Sequence, residues 1–363
     1  MRFVVLLAVV FAACAPTMSA PSATPVAVVT AAATTAPSST IPVPPSPNVP
    51  GAPQRSVVTF YRTDDVLRGP AQPSKRLDIS VPVYDMQFGP DPRWAIISNV
   101  GERAPLRLLD LENGDVVTVP LSLTSDALNY RSLVRWLPDG RLLLTGREIW
   151  VGGSRGEDVR SVFARFPFEV VPSHSGKLLA ILPLGSTAIV VLDLASGNAT
   201  TVLGPFRPCV QDGGVGIVWA PDDRAIAATD CSDQAQGGMQ TRFASVADGR
   251  EIRSLADLSV SAWLPGGDVV ARGPFRPRAD AEVWVISVNG ARRAIPPVGF
   301  LISPDGRFLL GSVIRDAPTS SDPARREDFA QLVDVLTGRV IDVGEGRPTG
   351  WTDQGEIALI TLF

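Results

Sequence analysis

The chain has 363 residues, a net charge of −4 and a pI near 5.2, and 45% of its residues are hydrophobic. That apolar share supports a sizeable buried core. The acidic balance argues against a nucleic-acid-binding surface. Arginine outnumbers lysine 31 to 2, a ratio closer to a codon bias than to a basic patch.

The N-terminus reads as an export signal over residues 1–14. Arg2 is followed by an apolar run from Phe3 to Ala13. Eleven residues fall short of the roughly 20 a helix needs to cross a bilayer. The following Phe11-Ala-Ala-Cys14 resembles the lipobox of bacterial lipoproteins, although Phe11 stands where Leu or Val is usual. The resemblance implies cleavage before Cys14 and a diacylglycerol on its sulfur. The alternative is ordinary secretory cleavage after Ala15 or Ala20.

Residues 15–54 form a linker. From Phe3 to Gln54 there is no Asp, Glu, Lys or Arg, and 30 of the 39 residues at 15–53 are Pro, Ser, Thr or Ala. Such a stretch cannot bury enough apolar surface to offset its ordering entropy. Its prolines favour an extended form of ~3.1 Å per residue, a reach on the order of 100 Å. A stalk through an envelope layer and a plain spacer are both consistent with it.

From residue 55 onward one phrase recurs. An aromatic or apolar residue precedes a Pro-Asp-Gly turn or a relative of it, and an apolar run follows. The copies begin at Phe88, Trp136, Pro172, Trp219, Trp263, Ile302 and Trp351. Their turn positions, from Pro90 to Asp353, are spaced by 48, 36, 47, 44, 39 and 49 residues, a mean of about 44 that matches four-stranded propeller blades. Pro fixes φ, and Asp-Gly accepts the positive φ of a tight hairpin. A second strand–turn–strand phrase follows most copies, as in Leu108-Leu-Asp-Leu-Glu-Asn-Gly114 and Leu332-Val-Asp-Val-Leu-Thr-Gly338, and blade two keeps it poorly.

The seventh copy supplies only an inner hairpin before Phe363. Strand-like Ser56–Arg62 and Arg76–Val81 fit the missing outer pair, which closes the ring and hides its edges. The expected fold is all-β: a seven-bladed β-propeller of four-stranded blades over residues 55–363, closed by pairing N-terminal strands with the C-terminal hairpin. Trp136, Trp219, Trp263 and Trp351 share one register and are expected between blades as core.

The phrases Trp136-Leu-Pro-Asp-Gly-Arg141 and Ile302-Ser-Pro-Asp-Gly-Arg307 resemble the WD40-like repeats of bacterial propellers, such as the C-terminal domain of TolB. The resemblance spans residues 55–363 and implies fold rather than function. The chain has no room for the N-terminal α/β domain of TolB and no hydrolase domain of the prolyl-peptidase kind.

Chemistry is sparse. The single histidine, His174, takes the turn position filled elsewhere by Pro, and no cysteine pair has zinc-ligand spacing. There is no nucleophile elbow, Walker loop, dinucleotide fingerprint or EF-hand loop. Neither a metal nor a cofactor is expected. Apart from Cys14, Cys209 and Cys231 remain and bracket the inner hairpin of blade four, and an exported domain favours a disulfide between them. Turns within hairpins should share one face, leaving the longer connections Asn99–Pro105, Asp230–Gln240, Arg272–Ala281 and Ser312–Asp328 on the other. Binding residues favour loops on a rigid scaffold. The candidates are Arg272, Arg276, Arg278 and Asp280, with Arg315, Asp316, Arg325 and Arg326.

The leading expectation is a monomeric, non-catalytic, lipid-anchored propeller that binds a protein, peptide or glycan outside the cytoplasm. It would sit on the outer face of the cytoplasmic membrane or the cell surface, or be secreted, touching membrane only through its anchor. The alternatives are a glycan lyase or hydrolase built on carboxylates and arginines, and a structural component of envelope assembly.

Overall fold

The computed structural model describes residues 55–98, 106–119, 133–209, 216–231, 238–273, 282–297, 301–316 and 326–363. The segments assigned to the export signal and linker, with Cys14, lie outside them.

The chain opens with β1 (Ser56–Arg62), α1 (Thr63–Arg68) and β2 (Lys75–Ile79). Blade 1 holds β3 (Asp85–Phe88), β4 (Trp94–Ser98), β5 (Leu106–Asp110) and β6 (Val116–Val119). Blade 2 holds β7 (Leu133–Trp136), β8 (Leu142–Thr145), β9 (Ile149–Gly152) and β10 (Arg160–Phe163). Blade 3 holds β11 (Pro167–Pro172), β12 (Leu178–Pro183), β13 (Ile189–Asp193) and β14 (Ala199–Leu203). Blade 4 holds β15 (Val218–Trp219), β16 (Ala225–Asp230), β17 (Gln240–Ser245) and β18 (Glu251–Ala256). Blade 5 holds β19 (Ser259–Trp263), β20 (Val269–Arg272), β21 (Val283–Ile286) and β22 (Arg292–Ile295). Blade 6 holds β23 (Leu301–Ile302), β24 (Phe308–Asp316), β25 (Arg326–Asp334) and β26 (Val340–Glu345), and the last hairpin is β27 (Arg347–Trp351) and β28 (Glu356–Leu362).

Six blades are sequential meanders, and the seventh has the order β2-β1-β28-β27. The first and last segments thus share one sheet. β1 runs antiparallel to β28 from Ser56↔Leu362 to Arg62↔Glu356. Seven copies of the phrase have become seven inner hairpins, and the expected closure holds.

Burial explains why the apolar runs lack polar alternation. In β8 all four residues are buried. Leu142 and Leu144 pack toward blade 1, whereas Leu143 packs toward blade 3, because successive side chains leave opposite faces of a strand. The core accordingly divides into seven apolar clusters, one at each blade–blade seam among the described residues. Trp136 and Trp219 are buried in the seams between blades 1 and 2 and between blades 3 and 4. Trp263 and Trp351 pack against the 4/5 and 6/7 seams.

The turns follow from the phrase. Asp110, Asp193 and Asp334 begin outer-hairpin turns, and each carboxylate accepts backbone N–H bonds from the next residues: Glu112 at 2.9 Å, Ala195 at 2.8 Å and Leu336 at 2.8 Å. These are Asx turns, in which a short side chain replaces a backbone acceptor. Arginine from the inner turn reaches across in two blades, Arg93 to Asp110 at 2.7 Å and Arg307 to Asp334 at 3.4 Å. Cations on outer strands cross the seams instead. Lys75 Nζ donates to the Leu111 carbonyl, and an Arg293 guanidinium N–H donates to the Val335 carbonyl.

One element has no counterpart in the repeat. Blade 7 joins its outer strands through α1 rather than a tight turn, and Val66 of α1 is fully buried in the seam between blades 6 and 7.

Candidate functional site

Antiparallel order fixes two faces. Inner- and outer-hairpin turns emerge on one, the turn face. The connections from second to third strand, and from one blade to the next, emerge on the other, the loop face. Arg55 and Phe363 also lie on the loop face, exchanging backbone hydrogen bonds of 3.4 and 3.1 Å.

One corner of the loop face, on blade 4, is held by a disulfide. Cys209 and Cys231 are bonded, with Cα atoms 5.2 Å apart, and both are buried. The connection into blade 4 is drawn onto the end of β16 by a Pro208↔Asp230 bridge and a Cys231 N–H bond to the Arg207 carbonyl at 2.8 Å. Spacing about the inner turn pointed to this pair. The contact itself is made by the incoming connection, because β15 extends only over Val218–Trp219.

Asp230 anchors the same corner. It is 1% exposed, accepts the Arg207 N–H at 3.0 Å and faces an Arg242 guanidinium nitrogen at 3.2 Å. Arg242 also donates to the Pro205 carbonyl at 2.6 Å and to Glu251 at 2.9 Å. Beside them, the buried Thr229 hydroxyl lies 3.0 Å from that of Ser259, and Thr241 donates to the Leu258 carbonyl at 2.7 Å. A buried charge needs such partners, and every donor and acceptor named here has one. The cluster stiffens the loop face and offers no reactive group.

The predicted binding residues separate into two sets. Arg276, Arg278, Asp280 and Arg325 lie outside the described residues. Arg272 is not in a loop: it ends β20, opposite Ser259 and Val283. Arg315, Asp316 and Arg326 are likewise strand residues, because β24 and β25 pair to their ends, with Arg315 opposite Glu327 and Asp316 opposite Arg326. Residues 312–316 and 326–328 of the expected Ser312–Asp328 loop are therefore paired strand, and residues 317–325 lie outside the described residues.

Inner strands line the central axis. Two carboxylates sit on them among the described residues, Asp85 in blade 1 and Glu169 in blade 3. They lie on blades that are not neighbours. Glu169 accepts the Ile217 N–H at 3.2 Å, as Gln87 accepts that of Trp136 at 3.2 Å. These side chains stitch one inner strand to the next. Asp110 and Asp334 have carboxyl pKa values held below the ordinary range. For Asp110 the Arg93 hydrogen bond dominates; for Asp334 burial opposes the shift, and turn amides with Arg307 outweigh it. Both serve turns. Among the described residues there is no group of three or more His, Cys, Asp or Glu placed to hold a metal ion. A cleft of about 600 Å³ opens at the outer rim, between Ser80–Val81 of blade 7 and Arg107, Asp115 and Val117 of blade 1.

No protein-family description matches the chain, and neither does any curated protein. Solved structures do. A putative TolB from Agrobacterium tumefaciens is 16% identical with a TM-score of 0.46, covering 85% of this chain and 98% of that one. TolB from Acinetobacter baumannii is 13% identical with a TM-score of 0.40, covering 72% and 78%. The β-propeller domain of Cps50 (Swd1) from Myceliophteria thermophila is 11% identical with a TM-score of 0.49, covering 77% and 97%. The assignment of seven blades rests on the strand pairing of this chain itself.

Proposed function

We propose that the protein is an exported, non-catalytic binding scaffold that recognises a protein, peptide or glycan through its loop face and the adjoining end of the channel. The observation that supports this reading is the clamped corner at Cys209–Cys231, where a disulfide, a buried Asp230–Arg242 pair and a hydroxyl cluster hold a connection that the ring alone would leave free. Such a bond persists outside the reducing cytosol. Rigid presentation of loops lowers the ordering entropy lost on binding. The anchor at Cys14 and the linker over residues 15–54 belong to the same proposal.

Cross-linking in intact cells tests it. A photo-reactive side chain at Met239, beside the clamp, should capture a discrete partner, and a matching probe at Glu112 on the turn face should not. Equal capture at both positions, or none at Met239, refutes loop-face recognition. The glycan-enzyme alternative has less support, since the two inner-strand carboxylates stand on separated blades and Glu169 is engaged by a main-chain amide.

A further inference from the structure

We infer that Asn289, at the outer-turn tip of blade 5, is a modification site whose side-chain amide is lost to attack by the Gly290 main-chain nitrogen. The fold protects the matching Asn113 of blade 1. Three asparagines lie among the described residues, and two of them, Asn113 and Asn289, precede a glycine at the exposed tip of an outer turn. Asn198 precedes Ala199 instead. A side chain on the following residue crowds the nitrogen that must close the ring, and glycine has none.

The step needs only water. A bond forms from Gly290 N to Asn289 Cγ and the Cγ–Nδ2 bond breaks, so ammonia leaves with the proton of the Gly290 amide. A five-membered cyclic imide remains. Water reopens it at either of its carbonyls, giving aspartate or, with the main chain rerouted through Cγ, isoaspartate.

To reach Cγ, the glycine nitrogen must leave its turn hydrogen bond. Gly290 N–H donates to the Ser287 carbonyl at 2.9 Å, and Gly114 N–H to the Asp110 carbonyl at 2.8 Å. The surroundings decide which tip can open. A Cβ built on Gly290 would have no atom within 4 Å, whereas one on Gly114 would stand 3.2 Å from the Asp78 carbonyl oxygen of blade 7. Gly290 therefore turns in open space, and Gly114 is wedged against β2. Asp268 accepts the Val288 N–H at 3.1 Å and confines the movement to the tip itself.

The two side chains are also held differently. Asn113 Oδ1 accepts the Asp115 N–H at 2.9 Å, and its Nδ2 donates to the Asp115 carboxylate at 2.9 Å. Loss of ammonia there would set two carboxylates against each other. Asn289 Oδ1 accepts from the Ser287 hydroxyl and from the Ala291 N–H at 3.1 Å. Both donors draw electrons from Cγ, and both suit a carboxylate. The inner turn of blade 6 already has that arrangement. Asp305 accepts from the Ser303 hydroxyl at 2.6 Å and the Arg307 N–H at 3.0 Å, and Gly306 N–H donates to the Ser303 carbonyl at 2.8 Å. Residues 287–291 form the same turn with Asn in place of Asp. Each event adds a negative charge to a chain of net charge −4, so the tip records the time the protein has spent in water.

The test ages the purified full-length chain at mildly alkaline pH, folded or in denaturant, and follows both asparagines by peptide mapping that separates isoaspartate from aspartate. In the folded chain Asn289 should convert about tenfold faster than Asn113. In denaturant the two rates should agree within about threefold. Labelled water should leave its heavy oxygen in both products. Asn289→Asp, which builds one product directly, should melt like the parent. Equal rates in the folded chain overturn the inference, as does an Asn289 that stays intact while the denatured chain converts. A rate ratio that persists in denaturant would assign the choice to sequence rather than fold. Product free of isoaspartate would exclude the imide, and a clear fall in the melting temperature of Asn289→Asp would show that the turn does not accommodate the carboxylate.

Discussion

The Asp223 carboxylate accepts the main-chain N–H groups of His174 at 2.8 Å and Ser175 at 2.9 Å, tying the inner turn of blade 4 to that of blade 3. Other neighbouring turns meet differently. A Cβ built on Gly176 would stand 3.0 Å from Pro138 Cδ, and one on Gly140 would stand 3.5 Å from Pro90. Gly306 and Pro265 make the same meeting. At the seam between blades 3 and 4 both partners differ from that pattern, His for Pro and Asp for Gly, and hydrogen bonds replace close packing. Asp223 accepts a φ of 59° to make them, a conformation costly for most side chains other than Asn and Asp.

A double-mutant cycle should expose the exchange. Asp223→Gly should cost about 1–2 kcal/mol, the worth of charge-assisted hydrogen bonds less the strain relieved. His174→Pro alone removes one donor from a carboxylate that remains, so it should also destabilise. Together the two restore the pairing seen for Gly140 with Pro90, Gly176 with Pro138 and Gly306 with Pro265, and should recover most of the loss. Additive losses in chemical denaturation would show that the pair is not coupled.

The same contact predicts an acid limb in stability. Burial pushes the Asp223 carboxyl up, but bonds from Ser175 and His174 outweigh it and hold the pKa below the ordinary value. A group depressed in the folded state stabilises fully above its unfolded pKa, and that stabilisation is lost as pH falls through the folded one. Melting temperature should therefore drop below the ordinary carboxylate range, and less steeply in Asp223→Asn. Identical slopes for parent and variant would count against the assignment. Asp110 and Asp334 add to the parent slope in the same direction.

Removing Thr352–Phe363 should abolish cooperative unfolding. It deletes β28, the partner of β1 over its whole length, and strips Ile357, Ala358, Leu359 and Ile360 from two seams. An open sheet edge would also invite association. A truncated chain that melts cooperatively as a monomer would refute ring closure as the main stabilising device.

The disulfide should matter locally. It closes a separation of 22 residues, for which chain entropy gives roughly 3 kcal/mol at most. In a Cys209→Ser, Cys231→Ser variant, amide exchange should rise near Arg207 and Cys231 while the seam cores stay protected. Global unfolding at ambient temperature would show a larger role.

Cys14→Ser should move the protein from the membrane to the soluble fraction, given the Ala-Ala-Cys step after an apolar run. Unchanged partitioning into detergent would rule out lipid attachment there.

Blade number, hairpin positions and closure were legible because each depends on local residues, a Pro-Asp-Gly turn between apolar runs. Helix α1 was not, since Thr63–Arg68 is too short for a helical period and buries only Val66. The ends of β24 and β25 were misread because Arg315, Asp316, Arg326 and Glu327 have the polar composition of a solvated loop, whereas their backbones pair in register. Asp230 likewise read as a loop terminus, whereas its surroundings come from Arg207 and Arg242 on separate segments. The exchange at His174 and Asp223 needs two positions 49 residues apart to be seen as one. His174 alone suggested only an exposed turn.

Because Arg55 and Phe363 are paired backbone to backbone, the ring has no structurally privileged beginning. A short peptide joining them would leave every seam intact, and new ends could be opened at Asn113 or Ser196, tips of exposed outer turns. Such a circular permutant should fold, with its ends on the turn face. A tether fused to the new ends would then leave from the turn face instead of the loop face, so the point of attachment can be engineered separately from the fold.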